Sequence, residues 1–147
     1  MSLTILGESI TMSVIRRTDA RQTETPNAAM TTFASPTQGS TTLAMWQVEM
    51  RPDSQGPLHA MEAEQIWTFL AGSATADLAG EHYTLTAGDT LVLPADTARR
   101  ITTTEGFTAI VASTSPSRAY NPDAITPEGA CAAAPRDAER ILPAWIA

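Results

Sequence analysis

The sequence predicts an all-β domain, a sandwich or barrel. Three observations carry this. No helical hydrophobic period is sustained before the C-terminus. The middle of the chain alternates apolar and polar residues over short segments. Turn signals separate those segments at roughly 8–12 residues, the strand spacing of such folds.

The elements follow in order. Residues 1–40 are polar and Thr-rich, and read as a partly extended arm with one short strand at 30–34 before Pro36. Residues 41–50 place Ala44, Trp46, Val48 and Met50 on one face, and Leu43, Met45, Gln47 and Glu49 on the other. Two prolines and Gly56 break the pattern. Strands are expected at 65–70 and 74–78, separated by Ala71-Gly72-Ser73, and then at 82–85 after the turn Ala79-Gly80. Further strands are expected at 90–93, 99–103 and 107–113. That makes seven or eight strands in a core at 41–115. Residues 116–147 form a Pro-rich tail carrying five of the ten prolines. Leu142, Trp145 and Ile146 near its end would each gain roughly 1.5–3 kcal/mol on full burial. The tail is therefore expected to dock on the barrel or on a partner subunit.

Composition narrows the function classes. The chain has 147 residues, enough for one domain. Nine basic and sixteen acidic residues give a formal net charge of −7. Nucleic acid is a poor partner for such a surface, because phosphates need a basic footprint. No apolar run approaches the ~18 residues of a membrane span, so no membrane partner is expected. All nine basic residues are Arg, which reads as codon bias. The single Cys131 excludes an intrachain disulfide and has no neighbouring His to activate it. The N-terminus lacks the basic start and long apolar stretch of a signal peptide, and Met12 is a second candidate start. A cytoplasmic location is expected.

Two stretches carry a family resemblance. Residues 58–72 read LHAMEAEQIWTFLAG and residues 88–103 read GDTLVLPADTARRITT. They resemble the two motifs of the cupin superfamily. His59, Met61, Gln65 and Gly72 fall on the His-x-His, Glu and Gly places of the first motif. Gly88, Pro94, Asp96, Arg99 and Thr103 fall on the Gly, Pro, Gly, His and Asn places of the second. A glycine expected before the first His is Asp53, with Gly56 nearby. The resemblance implies a cupin-type double-stranded β-helix, a jelly-roll barrel. It spans roughly residues 41–113. Gly72 and Gly88 are expected in tight hairpin turns, with Pro94 closing a strand.

The resemblance also implies a divalent metal held by two histidines, a glutamate and a third histidine. Only His59 of that set is present. Met61 replaces the second His, Gln65 the Glu, and Arg99 the third His. A thioether suits soft copper(I), and a neutral amide oxygen is a weak ligand. Arg stays protonated and cannot ligate. At about 4 Å and an effective dielectric near 20, each unit of like charge costs about 4 kcal/mol. No cofactor is expected. A rescue by His59 with Gln65 or Glu64 is the metal alternative, although Glu64 belongs to the outward face.

The inward face supplies the candidate site. His59, Met61, Gln65, Trp67, Phe69, Arg99, Ile101, Trp46, Val48 and Met50 are expected to line a cavity. His59 and Arg99 are the candidate catalytic pair. Arg99 would hold a carboxylate or a developing enolate, and His59, ordinarily near pKa 6.5, would move the proton. Gln65, Met61, Trp67, Phe69, Trp46, Met50 and Ile101 would bind substrate. His82 and Arg100 are expected on the surface. The reaction class is metal-free proton transfer: isomerisation, cyclisation, dehydration or epimerisation. The alternatives are a non-catalytic small-molecule binder and a metal-dependent, dioxygenase-like cupin. A homodimer is expected.

Overall fold

The computed structural model describes residues 2–5, 8–40, 42–123 and 139–147. Cys131 lies outside the described residues. Almost every element is a strand. β1 (Ser2–Ile5) and β2 (Glu8–Thr11) form a separate antiparallel pair. The barrel strands are β3 (Arg21–Glu24), β4 (Ala28–Ala34), β5 (Leu43–Met50), β6 (Ser54–Gln55), β7 (Ala60–Met61), β8 (Gln65–Leu78), β9 (Glu81–Thr86), β10 (Thr90–Leu93), β11 (Arg99–Thr103) and β12 (Phe107–Thr114). β13 (Ala119–Tyr120) and β14 (Arg140–Ile141) join β7 in a small third sheet. No helix among the described residues is long and apolar enough to cross a membrane.

β8 makes the barrel. It is one strand of 14 residues, not the two strands with a turn at 71–73 that the sequence predicts. Its first half pairs with β12 and β10, and its second half with β9 and β11. One sheet therefore runs β3-β4-β5-β12-β8-β10, and the other runs β9-β8-β11-β6. The change of sheet occurs at Gly72, whose φ is +77°. A Cβ there would sit 2.8 Å from the Phe107 Cα, so only glycine fits this corner. A register shift at Thr108/Ala109 on the partner strand accommodates the same corner. Gly72 is thus a bend residue and not a hairpin residue. Ala79-Gly80 is the hairpin turn that joins β8 to β9, as expected.

The alternation is physically consistent. On β5, Ala44, Trp46, Val48 and Met50 are buried, while Leu43 and Met45 are exposed. Trp46, Phe69, Leu93, Val111 and Ile146 are among the fully buried side chains. The first sheet begins well before residue 41. β4 pairs along β5, and β3 along β4, so Arg21–Glu24 and Ala28–Ala34 are strands of this sheet. At the other end, the described part of the tail packs on the barrel.

Two departures from glycine in the second motif and before the first have a local reason. Asp96 and Asp53 both adopt left-handed backbone, with φ of +57° and +54°. Aspartate tolerates that region better than most residues. Asp96 Oδ1 also accepts a hydrogen bond from the Tyr120 hydroxyl at 2.7 Å.

Candidate functional site

His59 and Arg99 are brought together by the backbone. The Arg99 amide donates to the His59 carbonyl at 2.8 Å, and the His59 amide donates to the Arg99 carbonyl at 3.0 Å. A pair bonded in this way directs both side chains to one face. That face is the barrel interior. Gln65 opens β8 in the first sheet and meets Arg99 from the second sheet across the barrel, and Trp67 follows two residues on, so both also point inward.

The four side chains form one network. Gln65 Oε1 accepts from Arg99 Nη2 at 2.7 Å and from Trp67 Nε1 at 3.0 Å. Arg99 Nε donates toward His59 Nε2 at 3.4 Å, at the long end for such a bond. His59 Nδ1 lies 2.9 Å from the Pro57 carbonyl oxygen, which can only accept. The proton of neutral His59 is therefore on Nδ1, and Nε2 carries the lone pair.

Arg99 is 2% exposed, and its Nη1 has no hydrogen-bond partner among the described residues. Among the described residues no carboxylate pairs with it. A buried cation without a counter-ion is costly. Burial pushes the Arg99 pKa down to about 9, which still leaves it charged at neutral pH. Burial, and then the Arg99 charge, push His59 down to about 3, against the pull of the Pro57 carbonyl. His59 therefore lies far from its ordinary value near 6.5, and is neutral at pH 7.

A cavity of about 120 Å³ adjoins this network. Trp46, Met50, Met61, Gln65, Trp67, Ile101, His59 and Arg99 line it, as the sequence predicts. Phe69 does not. It is fully buried beside the cavity, against Trp67 with ring centroids 6.2 Å apart and Phe107 at 5.1 Å. Its role is packing, because Trp67 and Phe107 cover it within the core. Phe107 and Met30 line the cavity and were not anticipated. Phe107 follows Gly106 on an inward register that the alternation of residues 107–113 already contains. Pro143, Trp145 and Ile146 also line it. Only their apolar character signalled burial, and nothing in the sequence located it.

Three expectations outside the cavity can be placed. His82 is exposed. Arg100 is half-buried and not on the open surface, with its Nε unpartnered, because β11 is flanked by β8 and β6. Glu64 is exposed, opposite in direction to Gln65. Glu62 faces away from the network, and its carboxylate accepts from the Arg118 amide and from Arg140 Nη1, each at 2.9 Å. Those contacts hold it below the usual carboxylate range.

A divalent metal does not fit this donor set. Among the described residues no three His, Cys, Asp or Glu side chains converge. The Gln65 oxygen is already committed to Arg99 and Trp67, and the His59 lone pair faces a guanidinium. A dication would meet Arg99 at the same place.

A bent, two-sheet antiparallel barrel with polar residues converging on an internal cavity defines a class: jelly-roll barrels that enclose a small-molecule site. Residues 46–113 match the family model for the cupin domain, and this segment of the chain is similar to that family. KdgF from Halomonas sp. superposes with a TM-score of 0.61 at 21% identity, over 71% of this chain and 94% of that one. An RmlC-like cupin from Shewanella frigidimarina gives 0.61 at 15% identity, over 71% and 91%. The DMSP lyase DddQ from Ruegeria pomeroyi gives 0.60 at 23% identity, over 66% and 57%. These likenesses concern the fold. No curated protein matches the chain in sequence.

Proposed function

We propose that this protein is a metal-independent cupin that binds a small organic anion inside its barrel and acts on it by proton transfer. The observation that carries the reading is Arg99 Nη1, a buried donor beside a cavity, on a cation that has neither a partner for that donor nor a counter-ion among the described residues. A carboxylate, or the enolate of a carbonyl compound, supplies both the charge and the acceptor. At about 120 Å³ the cavity is somewhat smaller than the ~150 Å³ that accommodates benzene, which limits the enclosed part of a ligand to a single small ring or a short chain. Trp46, Trp67 and Phe107 would hold the apolar body.

The chemistry centres on His59 Nε2. With the ligand anion on Arg99, one of the two causes that depress His59 is offset, and its basicity rises. The Nε2 lone pair then takes a proton from the carbon beside the carboxylate or carbonyl. Arg99 holds the charge that develops on oxygen, and Gln65 fixes the guanidinium. Return of the proton to another carbon gives isomerisation, and return to the opposite face of the same carbon gives epimerisation; expulsion of a β-hydroxyl, which takes the proton from the His59 imidazolium and leaves as water, gives dehydration. One of the structural neighbours is named a lyase, and enzymes thus occur on this fold.

A second reading, non-catalytic binding, is favoured by one observation: at a pKa of about 3, His59 is a weak base in the ligand-free barrel.

Titration calorimetry with benzoate and benzyl alcohol tests the binding step. Benzoate should bind the wild type at least about tenfold more tightly than Arg99→Met, while benzyl alcohol should not discriminate between them. Equal benzoate affinity would remove Arg99 as the anion anchor. Solvent deuterium exchange into pyruvate and phenylpyruvate tests the chemical step. His59→Ala should slow it by about 100-fold or more with benzoate binding retained. Exchange no faster than in buffer would leave the binding reading.

A further inference from the structure

We propose that Trp145, held in place by the segment at residues 142–147, sets the upper size limit of the ligand. The inference deepens the small-molecule reading above, and its test separates the two. Trp46, Trp67 and Phe107 belong to β5, β8 and β12, so paired strands on both sides fix their backbone. Trp145 is the aromatic in the lining that comes from outside the barrel strands. Its wall exists only because the segment is fastened in place.

The fastening is extensive and specific. Thr32 Oγ1 donates to the Trp145 carbonyl at 2.9 Å. Ser115 Oγ donates to the Ile146 carbonyl at 2.8 Å. Arg21 Nη2 and Thr37 Oγ1 donate to the Ala147 carbonyl oxygen at 2.7 and 2.8 Å. Three consecutive carbonyls are thus held by side chains from β3, β4 and two separate loops. Ile146 is fully buried, and its amide closes a turn onto the Pro143 carbonyl at 3.0 Å. Upstream, β14 pairs with β13, and Arg140 both contacts Glu62 and lies 4.0 Å over the Tyr120 ring.

Anchors on both sides of residue 145 leave the Trp145 backbone little freedom to shift away from a larger ligand. Ile146 points into the core and Trp145 is half-buried at the cavity. An indole held in this way acts as a stop, and the size of residue 145 decides how much ring fits against Arg99. Thr32 and Ser115 act only through the segment and are positioning residues.

Four probes separate ring size from head-group charge: benzoate, 1-naphthoate, benzyl alcohol and 1-naphthylmethanol. Affinities are measured by calorimetry for wild type, Trp145→Ala and Trp145→Leu, with thermal unfolding as the folding control. The naphthyl-to-phenyl affinity ratio should rise at least about tenfold in Trp145→Ala, and less in Trp145→Leu, with either head group. A ratio unchanged within about twofold in both variants would overturn the proposal, whatever the carboxylates show. A shift in ring selectivity without any preference for carboxylate over alcohol would support Trp145 and count against Arg99. Failure of all four probes to bind the wild type would overturn both. Should Trp145→Ala fail to fold, the ratio in Trp145→Leu decides.

Discussion

Arg99 concentrates the energetic conflict of this barrel. Its guanidinium is almost fully buried, its Nη2 and Nε meet neutral acceptors, and its Nη1 meets none among the described residues. A stabilising residue would not be left in this state. Arg99→Met keeps the length and apolar stem while removing the charge. Gln65 Oε1 keeps its bond from Trp67. The variant should unfold at the same temperature as wild type or a higher one, gaining of order 1 kcal/mol, and should lose benzoate binding. A drop in melting temperature of several degrees would instead make Arg99 structural. His59 yields a pH prediction of definite sign. Its folded value of about 3 lies below its unfolded value near 6.5. Between these values the unfolded chain binds the proton and the folded one does not. The contribution of neutral His59 is therefore complete above pH 6.5 and is lost as pH falls toward 3. Denaturant melts at pH 7.5, 5.5 and 4 should show His59→Gln losing less stability on acidification than wild type; parallel curves would refute the depressed value.

At the scale of elements, β8 decides the architecture, and Gly72 decides β8. A Cβ at residue 72 would meet positive φ together with backbone atoms of Gly106 and Phe107 below 3 Å. Gly80 also has positive φ, at +89°, but has open space around it. Gly72→Ala should therefore cost about 2–5 kcal/mol, combining backbone strain with overpacking, while Gly80→Ala should cost about 1–2 kcal/mol. Equal losses in denaturant melts would mean that the corner relaxes freely. The same residue shows where sequence reading stops. The alternation of Ala44, Trp46, Val48 and Met50, the inward set Gln65 and Trp67, and the outward Glu64 were legible, because each depends on the local two-residue period. Ala71-Gly72-Ser73 was read as a turn because a glycine at positive φ serves a turn and a strand bend equally. β6 and β13 are two residues long and exist through pairing with distant segments, so no local pattern announces them. In the site, the meeting of His59, Gln65 and Arg99 followed from the family spacing. Phe69 was misplaced because an inward direction does not distinguish the cavity wall from the core behind it. Trp145 reaches the cavity through carbonyl contacts to Thr32 and Ser115, which leave no trace in composition or periodicity.

For the whole molecule, the outer face of the first sheet bears on the expected homodimer. Register places Met45, Ala112, Ile66 and Val92 in one row across β5, β12, β8 and β10. The adjacent row is Gln47, Ile110, Thr68 and Thr90, which is also uncharged. Leu43, Met45, Ile66, Leu70 and Val92 are all exposed on this side. We propose that this apolar surface, spread over several strands, is an association site. A second copy is the occupant that the charge favours. The chain carries −7, so two copies repel through most of their surface, and an uncharged patch is where like can meet like without that cost. Sedimentation equilibrium should therefore give twice the 15.6 kDa chain mass at micromolar concentration. Ile66→Glu and Val92→Glu should each shift the chain toward monomer, because a carboxylate on a two-fold face meets its own copy. Neither position lines the cavity, so benzoate affinity per chain should survive in the monomers. A dimer unaffected by either substitution would place the interface elsewhere; a wild-type monomer at all concentrations would show that this face is tolerated in water or covered by another partner.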